Sequence, residues 1–183
     1  MCRLFGLLGS APTPAAQWLV SSDRSLLRQS NGSSRQLQDD GWGIAWFDGS
    51  GELTVEKGVG GAHASGEVGR FKAAADRAVG PVVLAHLRKA SNPMRLPKDR
   101  LIALENSQPF TYGRTMFAHN GSILHPRETR PLLGRYEREV RGVNDSEVLF
   151  ALLLRNLDET REPVAAYAKT VGDLFQVWHR LGA

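Results

Sequence analysis

The order of apolar patterns along the chain constrains the fold more than any single residue does. Four short runs with strand character, residues 2–8, 42–47, 82–88 and 115–119, all fall in the first two thirds of the sequence. Residues 53–56 follow the second run across a turn that holds Asp48-Gly49 and Gly51, which predicts a β-hairpin. Between these runs, 18–27 reads as helical with a break near 21–23, and 67–79 reads as a surface helix. Pro12 and Pro14 predict a turn after the first run. Residues 30–40, 58–66 and 89–109 read as loops, the last long enough to suggest a functional role. From residue 121 onward the pattern is helical. Residues 145–157 are apolar nearly all round, as in a helix sandwiched between layers. Val164, Tyr167, Val171, Leu174, Trp178 and Leu181 recur at steps of three and four, which predicts one apolar stripe on a last helix. Strands first and helices massed at the end point to an antiparallel α+β layered domain rather than a doubly wound fold. A chain of 183 residues fits one domain, residues 1–183.

Composition removes several function classes. Hydrophobic residues make up 42% and charged residues 23%, which excludes collagen-like and disordered chains. No apolar run approaches the roughly 18 residues of a membrane-spanning helix, and no signal-peptide pattern opens the chain, so no membrane partner and a cytoplasmic location are expected. The net charge is +4, but the 18 Arg and 5 Lys are scattered, and residues 127–141 interleave arginines with glutamates. Mixed signs at helical spacing describe a solvated face, not a nucleic-acid groove, so no nucleic-acid partner is expected. With one cysteine the chain forms neither an internal disulfide nor, by that residue alone, a zinc cluster. Without a Cys/His cluster or a phosphate-binding glycine loop, no metal and no organic cofactor is expected.

That one cysteine is Cys2. Removal of Met1, usual before a small residue, would give Cys2 a free α-amine beside its thiol. A thiol with a reference pKa of about 8.5 is only partly ionised at neutral pH and gains from a base. An α-amine, with a reference pKa of about 7.7–8.0, suits that task, so one residue can supply nucleophile and base together. Taken alone, Cys2 reads equally as a small buried hydrophobe at the start of a strand.

Further segments give Cys2 a context. The sequence holds MCRLFGLLG at its start, DGWGIA at 40–45, AHLRKAS at 85–91, ENSQPF at 105–110, AHNGSI at 118–123 and NDSEVLF at 144–150. In this order and spacing the set resembles the stand-alone form of the class II glutamine amidotransferase domain, from residue 1 to about residue 155. The resemblance implies an N-terminal-nucleophile hydrolase fold, an αββα sandwich. It implies that Cys2 attacks the side-chain amide of glutamine and leaves a thioester for water to cleave. Asn120, by its side-chain amide, and Gly121, by its main-chain N–H, would then serve as oxyanion donors. Arg88 would hold the substrate α-carboxylate and Asp145 its α-ammonium. Each residue has a plainer reading: a turn for Asn120-Gly121, a surface ion pair for Arg88, and helix capping by Asn144 and Glu147 with Asp145 at the positive helix end.

Three residues depart from the family pattern. Ser91 and Asn92 stand where relatives often carry Thr and sometimes His, and Gln108 stands where His commonly precedes the Pro of ENxxPF. The family's later strands, which complete the second sheet, are not found before Ala183, so the sandwich is expected to be incomplete at the C-terminus. Exposed helix stripes would follow from that, and with them oligomerisation or a companion segment. The expected partners are a small-molecule substrate, glutamine or a γ-glutamyl compound, and either an ammonia-accepting synthase or a second copy of the chain. A free-standing γ-glutamyl amidohydrolase, as in ergothioneine-pathway relatives, fits the same motifs. A non-catalytic truncated domain acting as a binding or interaction module is the alternative from another class.

Overall fold

The computed structural model describes residues 2–32, 37–92 and 95–182, and they fall into two compact units, residues 1–120 and 121–183. Met1 and parts of the 30–40 and 89–109 loops lie outside the described residues.

Among the described residues, the first unit is built on a four-stranded antiparallel sheet in the order β1-β4-β2-β3, from β1 (Arg3–Pro14), β2 (Trp42–Phe47), β3 (Leu53–Gly58) and β4 (Val79–Leu87). The turn between β2 and β3 is held as the sequence predicts. The Asp48 carboxylate accepts from the N–H groups of Ser50 and Glu52 at 2.8 and 2.9 Å, and Gly51 takes a φ of 81°. Strand β1 runs past the expected turn at Pro12 and Pro14. Its pairing with β4 follows Arg3↔Leu87 to Leu8↔Val82, then shifts register and resumes at Thr13↔Gly80. β1 is an edge strand, and a proline there forfeits no ladder bond that the sheet needs.

Side-chain alternation divides the sheet into two faces. Trp42, Ile44 and Trp46 of β2 and Val83, Ala85 and Leu87 of β4 are buried with Leu19 of a π-helical turn (Gln17–Ser21), Leu26 of α1 (Leu26–Ser30) and Phe71, Ala74 and Ala75 of α2 (Val68–Arg77). Trp42 meets Phe71 edge-on at 5.3 Å between ring centroids and donates its indole N–H to Glu67 at 2.7 Å. The other face carries Gly43, Phe47 and Lys57. A two-stranded sheet of β5 (Phe110–Tyr112) and β6 (Thr115–Phe117) lies against it, with Lys57 over the Phe110 ring and Arg114 over Phe47. Strand β5 has no sequence signal of its own, because three residues are too few to show a period. The long loop also holds a short helix, α3 (Lys98–Leu101), and a 3₁₀ turn (Leu104–Asn106).

The second unit is helical, as expected: α4 (Pro126–Thr129), two 3₁₀ segments (Arg130–Leu132 and Gly134–Glu139), α5 (Asp145–Thr160) and α6 (Pro163–Arg180). Asn144 caps α5 by accepting from Ser146 N–H at 3.0 Å. Arg161, in the left-handed region at φ 59°, ends α5, and Glu162 opens α6 by accepting from Val164 and Ala165. The expected stripe on α6 is corrected in part: Leu174 is buried and Val171 and Trp178 are half-buried, but the other members are exposed. The buried positions of α6 are Ala166, Thr170, Leu174 and Val177, while Val164 and Tyr167 are 74% and 66% exposed. The small side chains let α6 approach α5, and Thr170 takes a hydrogen bond from Asn156, so close contact and polar pairing set the phase, not bulk. Among the described residues no helix is long and apolar enough to cross a membrane. The mixed α+β class with antiparallel sheets agrees with the reading of the sequence.

Candidate active site

The N-terminal end of β1 and the C-terminal end of β4 are antiparallel neighbours, so Cys2 sits beside the residues that leave β4. Lys89 N–H donates to Cys2 Sγ at 3.2 Å, and the thiol lies 3.5 Å from the Lys89 carbonyl oxygen, which can accept its proton. A main-chain N–H aimed at sulfur remains favourable when the thiol ionises, whereas the S–H bond to the carbonyl is lost. Asn120, just past β6, donates its side-chain amide to the Cys2 carbonyl at 3.2 Å, and Arg3 donates to the same oxygen at 3.1 Å. Cys2 is partly exposed, so a reagent can reach it.

Arg88 follows β4 directly and is only 4% exposed. Its guanidinium donates to the Leu101 carbonyl at 2.9 Å and the Asp40 carbonyl at 3.4 Å. Asn106 donates to the carbonyls of Arg100 and Leu101, so Arg88 and the Asn of ENSQPF together hold the end of α3. Ahead of β2, Asp39 pairs with the Lys89 ammonium at 2.8 Å. That hydrogen-bonded pairing holds the Asp39 carboxyl below its ordinary range and the Lys89 ammonium above its own.

The two glycines of DGWGIA have a steric reason. A Cβ on Gly43 would strike the Gln108 carbonyl oxygen, and one on Gly41, whose φ is 147°, would strike the Ser107 hydroxyl. The bare backbone of β2 lets Ser107–Pro109 lie flat on the sheet. Gln108 then accepts from His119 N–H at 2.6 Å, one residue before Asn120. His86 is buried on β4, with no hydrogen-bond partner for either ring nitrogen among the described residues. Burial first, then the positive charges of Arg88, His119 and Lys57, push its pKa down to about 3.

Two of the sequence-predicted positions belong to the second unit. Gly121 follows Asn120 in the chain and is exposed. Asp145 opens α5, where its carboxylate accepts from Ile123 N–H at 2.9 Å and Ser146 N–H at 2.8 Å. It ties the turn that follows AHNG to the positive end of a helix. Within the first unit the structure gathers Cys2, Asn120 and the main chain leaving Arg88.

The sequence profile of the family described as "Glutamine amidotransferases class-II" matches residues 1–183. The chain belongs to that family. It is similar to "Probable glutamine amidotransferase DUG3" of Saccharomyces cerevisiae (strain ATCC 204508 / S288c), 27% identical over 175 residues, which cover 87% of this chain and 46% of the yeast protein. It is also similar to "Putative glutamine amidotransferase YafJ" of Escherichia coli (strain K12), 28% identical over 188 residues, with 97% of this chain and 61% of that protein covered. The chain thus spans about half to three fifths of the length of these relatives. In this member of the family, the sequence reading passed over Asp39, Asp40, Lys89 and Asn106 as parts of the site's surroundings, and named Gln108 only as a departure from the family pattern. Their signal was present, because each lies in or next to a segment that already carried a chosen residue.

Proposed function

We propose that this chain hydrolyses the side-chain amide of L-glutamine, or of a γ-glutamyl compound, with Cys2 as nucleophile once Met1 has been removed. The observation that carries this reading is the convergence on Cys2 of the Lys89 N–H and the Asn120 side-chain amide. The free α-amine takes the thiol proton, sulfur attacks the amide carbon, and the carbonyl oxygen becomes an oxyanion. Asn120 and the Gly121 N–H are assigned to that oxyanion; one such donor is worth about 10²–10³ in rate. The amide nitrogen leaves as ammonia with the proton held by the α-amine, and a thioester remains. Water then adds its hydroxyl to the acyl carbon and returns a proton to sulfur. Arg88 is assigned the substrate α-carboxylate and Asp145 the α-ammonium. In this reading Arg88 must exchange a main-chain acceptor for the carboxylate, which its five donors permit.

The antiparallel sheet with α2 on one face and β5–β6 on the other supports the further proposal of an αββα sandwich, in which residues 1–183 serve one activity. A separate ammonia-accepting synthase or a second copy of the chain is the proposed partner. The glutamine-mimicking electrophile diazo-oxo-norleucine tests the reading. Intact-mass analysis of the Met1-free protein should show one adduct, mapped to Cys2, together with loss of ammonia release from glutamine. A folded, Met1-free protein that takes up no adduct removes the catalytic claim.

A further inference from the structure

Asn120 lies three residues beyond the end of β6, outside the β5–β6 ladder. The last pair of that ladder is Phe110↔Phe117. Two residues further along each strand, Gln108 comes opposite His119. Pro109, between, has no N–H to extend the ladder. The main-chain carbonyl of Gln108 is turned onto the sheet, where it lies against Gly43. The acceptor for the His119 N–H is instead the Gln108 side-chain oxygen, at 2.6 Å.

That oxygen is firmly placed. Gln108 is 3% exposed, and the preceding residue, buried Ser107, donates its hydroxyl to the Gly58 carbonyl of β3 at 3.4 Å. The bond therefore ties the segment after β6 to the main sheet as well as to its own hairpin. It fixes the 118–119 peptide, which leaves the two main-chain rotations of His119 between this anchor and Asn120. The far end is closed by the Asn120 side-chain amide, which donates one N–H to the Cys2 carbonyl at 3.2 Å. An amide nitrogen carries two N–H bonds, so the second is the one for a substrate oxygen.

We propose that Gln108 is a positioning residue that, through the His119 N–H, seats the Asn120 side-chain amide where it meets the oxyanion. The proposal rests on the reading of Cys2 as nucleophile and Asn120 as oxyanion donor, and deepens it by naming what seats the donor. A donor aimed before the reaction costs no rearrangement when charge develops. Gln108 departs from the His common at this place in the family pattern, yet an imidazole nitrogen and an amide oxygen can both accept an N–H.

Ammonia release from glutamine by the Met1-free protein, with kcat and KM taken separately, tests the role. Gln108→Met keeps the length and loses the acceptor. Its kcat should fall about tenfold while KM stays within about twofold of the parent, because a misaimed oxyanion donor is felt in the transition state. In an Asn120→Ala background, itself slower by about 10²–10³, the same change should cost less than about twofold, since no donor is left to misplace. An unchanged kcat in Gln108→Met, or an equal fall in both backgrounds, overturns the proposal. A second readout uses no glutamine. The nitrogen–proton NMR signals of the Asn120 side chain, recognised by their loss in Asn120→Ala, should move towards those of a free amide in Gln108→Met, and unmoved signals also overturn it. If Gln108→Met does not fold, Gln108→Ser, too short to reach His119, carries the same expectations. A parent that releases no ammonia but shows this NMR response would sink the proposed function and leave the hold of Gln108 on Asn120 standing.

Discussion

Each of the two units is stabilised internally by different means. On the inner face of the sheet in residues 1–120, the buried cluster is apolar throughout, from Leu19 and Leu26 to Trp42, Ile44, Phe71 and Leu87. In residues 121–183 the helix pair α5–α6 carries a buried polar seam. Asn156, fully buried, donates at 3.0 Å to both the Thr170 hydroxyl and the Asp173 carboxylate, and its oxygen accepts from Arg155 at 2.7 Å. Lys169 and Arg155 lie 3.5 and 3.4 Å from the same carboxylate. An apolar cluster gains from area removed from water and tolerates some sliding. A hydrogen-bonded seam gains less per residue but accepts a single register, since a shift leaves buried polar atoms unpaired.

Three measurements strain this contrast. Phe71→Ala should cost the most, about 3–5 kcal/mol in urea unfolding, because it empties the space edge-on to Trp42. Asn156→Ala should cost about 1–3 kcal/mol, the range for leaving buried partners unsatisfied. A loss at Asn156 equal to that at Phe71 would mean the seam is the main support of its helices, and the contrast would fail. The smallest effect at neutral pH belongs to His86→Gln, and it appears on acidification. With a folded value of about 3 against an ordinary 6.5, His86 takes up a proton in the unfolded chain between those limits and refuses it in the fold. Stability should therefore fall as pH drops from about 6.5 towards 3 and should not depend on this residue above that window. Asp39, Asp48 and Glu162, all held below their ordinary values, act only lower in the range. The urea midpoint of the parent should decline between pH 6.5 and 4.5, and that of His86→Gln should stay level. A decline that survives the substitution assigns the acid sensitivity elsewhere.

Much of this was legible in the residues. The β2–β3 hairpin follows from Asp48, Gly49 and Gly51, and β4 and α5 follow from long apolar runs. The family follows from motifs that no single segment carries. What escaped was set by neighbours distant in sequence. Pro12 and Pro14 lie within a strand because that strand is at an edge, and edge position is a property of the sheet. The buried face of α6 includes Thr170, which accepts from Asn156 of α5, so the stripe of larger residues, which shares Leu174 with that face, is only a partial guide to it. At the site, Cys2 and Asn120 could be named from their motifs, whereas the hydrogen bond from Ala90 N–H to the Asp40 carboxylate depends on where β4 stops pairing.

The meeting of β2 with Ser107–Pro109 has a consequence for anyone recombining this chain with its relatives. Gly41 and Gly43 on one side, and the path of Ser107 and Gln108 on the other, are two halves of one joint, more than sixty residues apart in sequence. A chimera that takes DGWGIA from one parent and ENSQPF from another inherits a joint cut by two different tools. Crossover points that keep both segments from the same parent leave the hairpin seated, and with it the Gln108 hold on the residue before Asn120.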